Sequence, residues 1–130
     1  LIFFAKLFLS AATGCLGLGY GARQRANALH RRLMALGVAL AWLGAAVVLA
    51  GRAGFALPLH PAYWLVELTG SDRAAGIVAA VQQGLGVAVL LALTGQAVLG
   101  RLRHPWHRPL AWVALPAWLA LWVSSMFGYV

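Results

Sequence analysis

The chain has 130 residues, 63% of them hydrophobic and only 9% charged, with a formal net charge of +8. So little polar surface excludes a water-soluble globule of this length and indicates a single membrane domain, residues 1–130. The basic residues stand in short clusters between apolar runs, which is a pattern of membrane topology and not of nucleic-acid binding.

The first apolar run predicts a span over about 7–22, with Lys6 close enough to its end to reach the membrane interface. Residues 1–21 do not read as a cleaved signal peptide, because the run passes straight into a basic loop without a cleavage site. Gly14, Gly17 and Gly21 recur at three- and four-residue spacing within it, a small-residue ridge expected to pack inside the bundle. The lone Cys15 has no partner for an intrachain disulfide and reads as a small packing residue.

Arg23, Arg25, Arg31 and Arg32 flank a short loop, and Leu33 to Gly51 then runs without a charge. That run is roughly 28 Å long as a helix and matches the roughly 30 Å hydrocarbon core, so a second span is predicted over about 33–51. Residues 53–70 are less apolar and hold Pro58, His60, Pro61, Tyr63 and Trp64. Two prolines beside an aromatic pair suit a segment at headgroup depth, with Tyr63 and Trp64 as interfacial anchors. Ser71 and Asp72 supply a helix N-cap and a favourable charge for a third span over about 74–100. Gln82 and Gln96 lie nearly four whole turns apart on it and are expected to point into the bundle, each seeking an interhelical partner.

A second basic loop follows, with Arg101, Arg103, His104, Trp106, His107 and Arg108, and Trp106 reads as a further interfacial anchor. The last span is predicted over about 109–130, with Pro116 expected to kink it. Both clusters of arginine fall on one side, opposite Lys6, Arg52, Arg73 and the two acidic residues Glu67 and Asp72. The positive-inside rule then gives an all-α, up-down-up-down four-helix membrane bundle with both basic loops in the cytoplasm and both termini outside.

The sequence shows no paired carboxylates, nucleophile elbow or phosphate loop, so an enzyme acting alone is not expected. Four histidines remain as candidate ligands. His30, His104 and His107 share the basic side, and a haem b held by two imidazoles would pair His30 with either His104 or His107. The plain alternative is that each histidine caps a helix or meets lipid phosphate among the arginines. His60, beside Pro61, Tyr63 and Trp64, reads as interfacial. No internal repeat and no charge within a span argue against a transporter.

Four stretches together resemble a known family. They are Leu16 to Tyr20 closing the first helix, Asn27-Ala28-Leu29-His30-Arg31-Arg32-Leu33-Met34, His107-Arg108, and the continuation Ala111, Pro116, Trp118-Leu119 and Tyr129. In these residues the chain is similar to the small four-helix CtaM-like membrane proteins, over roughly residues 9–130. That family is linked to maturation of haem-copper cytochrome oxidases. Its members usually carry further histidines at the outer end of helix two and the outer part of helix three. Here the corresponding places hold Arg52 and Gln82.

The resemblance implies a non-catalytic accessory subunit or assembly factor of a larger bioenergetic complex, with a respiratory oxidase as the expected partner, in the inner membrane of a bacterium. A b-type haem or quinone-linked electron carrier, and a small subunit of a photosynthetic complex, are the alternatives. The expected partners are the lipid bilayer and neighbouring membrane subunits, without nucleic acid and without a metal site.

Overall fold

A computed structural model describes residues 2–52 and 63–128 of the chain, with side chains described over 3–51 and 66–127. It contains α1 (Ile2–Ala22), α2 (Asn27–Arg52), the short α3 (Tyr63–Thr69), α4 (Asp72–Arg101) and α5 (His107–Gly128). The described residues form helices and connections only, and α1, α2, α4 and α5 are each long and apolar enough to cross a membrane.

Each helix starts earlier than its apolar run. α2 begins at Asn27, not near residue 33, and α1 begins before Lys6. The length of an apolar run says which residues can sit in hydrocarbon; it does not say where the hydrogen-bond ladder stops, and polar end residues continue that ladder into the interface. The start of α4 is as expected. Gly70 turns the chain at φ +78°, and extended Ser71 accepts the Ala74 N–H at 3.1 Å as N-cap. α5 is helical through Pro116.

Of residues 53–70, the stretch 53–62 with Pro58, His60 and Pro61 lies outside the described residues, as does Tyr129. The backbone of Tyr63 and Trp64 belongs to α3, which packs on α4. Their side chains are not described.

Four helix pairs make the body of the fold: α1 with α2, α2 with α4, α4 with α5, and α5 with α1. These contacts form a closed square, with α2 and α5 on one diagonal. Its core is Ala12, Leu16, Met34, Val38, Ala41, Leu90, Leu93, Ala114 and Trp118. Small residues on α1 and α2 let those two backbones approach, while leucines and Trp118 fill the other half.

The glycines that permit this approach are not those the spacing suggests. Gly14, Gly17 and Gly21 are exposed, and a Cβ added at any of them would meet nothing within 4 Å, so the ridge does not pack inside this bundle. The α1–α2 seam is closed instead by Gly19, Gly37 and Gly44. A Cβ on Gly37 would lie 2.8 Å from Leu16 Cγ, and one on Gly44 2.8 Å from Leu9 Cδ2. The ridge points outward because the seam follows the row through Ala5, Ala12, Leu16 and Gly19, all buried on one side of α1.

Side-chain hydrogen bonds hold every edge of the square. Trp118 Nε1 donates to Thr13 Oγ1 at 3.0 Å and Trp122 Nε1 to Ser10 Oγ at 3.2 Å, joining α5 to α1. Lys6 Nζ reaches the Met126 carbonyl at 2.9 Å, so its ammonium serves the end of α5 within the chain. Trp42 Nε1 donates to Thr94 Oγ1 at 3.0 Å between α2 and α4. Gln82 Nε2 donates to Ser124 Oγ at 2.6 Å between α4 and α5, giving it the interhelical partner that its position predicts. Most of the remaining apolar surface, including Leu18, Trp112 and Val113, faces outward, as helices in a lipid solvent require.

Candidate functional site

The two connections rich in arginine, α1 to α2 and α4 to α5, lie at one end of the square and border a common crevice of about 1240 Å³. Arg23, Arg31, Arg32, Arg101, Arg103 and Arg108 line it, and neither acidic residue of the chain does. Its inner walls are apolar, with Val38, Trp42 and Ala97 among them. The site is therefore amphipathic, cationic at one side and greasy at the other.

Arg23 is held in place: Nη1 donates to the Tyr20 carbonyl at 2.9 Å and the guanidinium sits 3.8 Å over the Tyr20 ring. Arg103 takes φ +53°, the left-handed conformation usual just past a helix end, where glycine is the common occupant. The tight turn after α4 thereby sets Arg101, Arg103 and Arg108 along the same crevice.

Two of the three candidate histidines belong to the site. His30 Nδ1 lies 2.7 Å from the Gly19 carbonyl oxygen, and His107 Nδ1 lies 2.8 Å from the Gln96 carbonyl oxygen. A carbonyl only accepts, so each ring must carry a proton on Nδ1, and in the neutral ring Nε2 is then the acceptor. Both histidines line the crevice. His104 does not. Its Nδ1 accepts the Trp106 N–H at 3.2 Å within the turn, and it is not among the residues that line the crevice. Trp106 beside it is 66% exposed.

The two hairpins repeat one another. Each histidine bonds a carbonyl eleven residues before it. The offset that carries His30 onto His107 also carries buried Leu16 onto Leu93, Gly19 onto Gln96, Gly37 onto Ala114 and Ala41 onto Trp118, all of them buried. The repeat lies mainly in burial and bonding; in sequence its two adjacent identities are His30-Arg31 with His107-Arg108, beside single matches such as Leu16 with Leu93 and Leu33 with Leu110. That doubled His-Arg, early in the second helix of each hairpin, is the one signal from which sequence reasoning could have chosen His107 over His104.

Gln96 has a double place in the site. Its carbonyl seats His107, and its side chain is buried, 2% exposed, with Oε1 lacking any hydrogen-bond partner. It points inward as its spacing from Gln82 predicts, but it finds no partner on a neighbouring helix. Gly100 is the other residue that sequence reasoning missed. A Cβ there would lie 2.7 Å from His107 Cε1, so only glycine leaves room for that ring.

Fold and site together define a multi-pass membrane protein with a basic, histidine-bearing crevice between two hairpins. No protein-family model, curated protein or solved structure matches the chain.

Proposed function

We propose that this chain is a non-catalytic integral-membrane subunit or assembly factor of a larger bioenergetic complex, with a haem-copper respiratory oxidase as the partner to which its resemblance points. In this reading the four long helices cross a bacterial inner membrane up-down-up-down. The basic crevice faces the cytoplasm and both termini face outward, because the arginines of the two short loops stay inside.

The observation that carries the reading is the outward ridge of α1. Gly14, Gly17 and Gly21 are exposed and make no close contact within the chain. An unused glycine row along a membrane helix lets a second backbone come close, which is how small residues drive association where lipid removes the hydrophobic incentive. The ridge lies outside the α1–α2 seam, where a neighbouring subunit can reach it.

The test is a gentle-detergent purification through a tag on the chain, with the co-purifying proteins identified, for the native sequence and for Gly17→Leu. A side chain at Gly17 begins in open space, so the variant should fold as the parent does while recovering fewer partner subunits. Recovery of the native chain without any partner subunit, or equal recovery with Gly17→Leu, would count against this reading.

A further inference from the structure

We infer that the crevice holds one haem b, with His30 and His107 as its two axial ligands. The inference rests on the proposed membrane reading, which keeps the apolar walls of the crevice in lipid and its arginines at the surface.

Both imidazoles are fixed by an Nδ1–H to carbonyl bond, which in the neutral ring leaves Nε2 as the acceptor. This is how proteins prepare a histidine to ligate metal, because the second bond sets the tautomer and holds the ring in orientation. Closing the hairpins explains one such bond in each. It does not explain why the two rings border a single cavity from diagonally opposite helices.

Next comes what two such donors can hold. Among the described residues no group of three or more His, Cys, Asp or Glu could hold a metal ion. A bare zinc or copper ion would lack ligands here. Two nitrogen donors complete a six-coordinate metal that brings its other four donors with it, as iron in a porphyrin does.

The space agrees. The crevice, at about 1240 Å³, exceeds the roughly 300–1,000 Å³ of ordinary small-molecule sites. Its walls carry Val38, Trp42 and Ala97 for the apolar ring, and its arginines offer guanidinium forks for the two propionate carboxylates.

The experiment is titration of haemin into the purified full chain in detergent, followed by oxidised and dithionite-reduced spectra. The expected result is one haem per chain with the Soret and sharp reduced bands of six-coordinate, low-spin iron. His30→Ala and His107→Ala should each lose the low-spin signature, and added imidazole should restore it, which a merely structural histidine would not allow. His104→Ala should match the native spectrum. Native protein that stays folded and gives no low-spin spectrum would overturn the site, and so would low-spin spectra that persist in both alanine variants. Should either variant fail to fold, the native titration still decides. A chain that recovers partner subunits but binds no haem ends this inference alone. A chain that binds haem but recovers no partner ends the subunit reading alone.

Discussion

Replacing Gly37 by alanine should destabilise the protein relative to replacing Gly17, although both substitutions add one methyl to a helix glycine. The new Cβ at Gly37 would lie 2.8 and 2.9 Å from Leu16 Cγ and Cδ2 and 3.2 Å from the Ala12 carbonyl oxygen. Leu16 is only 2% exposed, within the core, and the Ala12 oxygen moves only if α1 moves. Overpacking of this kind costs about 1–3 kcal/mol. Alanine for glycine within a helix returns about 0.8–1 kcal/mol. At Gly17 a Cβ meets nothing within 4 Å, so only the favourable part applies. The helix-propensity gain cancels between the two variants, leaving Gly37→Ala less stable than Gly17→Ala by about 1–3 kcal/mol. Denaturant or thermal unfolding in one detergent, followed by circular dichroism, measures that gap. Equal stabilities would refute the placement of the α1–α2 seam.

Three further outcomes follow from the geometry. Trp118→Phe and Thr13→Val should show a coupling of about 0.6 kcal/mol in a double-mutant cycle, the usual worth of an interhelical hydrogen bond in a membrane bundle, and strict additivity would contradict the 3.0 Å bond. Gly100→Ala should push the His107 ring off the Gln96 carbonyl, read as a changed histidine ring signal in 15N NMR; an unchanged signal would mean the ring does not lie over Gly100. Ser71→Ala should cost about 1 kcal/mol and speed amide exchange in the first turn of α4, and unaltered exchange would show that the cap is not formed in solution.

The spans were legible because uncharged runs such as Leu33 to Gly51 match the thickness of hydrocarbon, and the Ser71 cap was legible because capping is local. Seam positions were not. Gly14, Gly17 and Gly21 form the more conspicuous glycine row, but which side of a helix faces inward depends on where its neighbours stand, and helices apolar all round carry no stripe to announce it. Gly37 and Ala41, four apart on α2, show the same small-residue spacing and are the pair that packs. The histidines were legible as a set, whereas the choice between His104 and His107 turned on a three-residue difference at a turn. The unpaired amide oxygen of Gln96 is a property of three-dimensional enclosure and has no local signature.

The closed square also bears on how the protein could be taken apart. α1 and α5 are bonded neighbours through Lys6 and Met126, Ser10 and Trp122, and Thr13 and Trp118. The seams between α1 and α2 and between α4 and α5 are each internal to one hairpin. Cutting the chain between α2 and α3 therefore gives two pieces, each with its own histidine and its own seam. Expressed separately, they would meet again through the Trp42–Thr94 edge and the α1–α5 edge, so assembly of the crevice becomes a bimolecular event that can be timed by mixing.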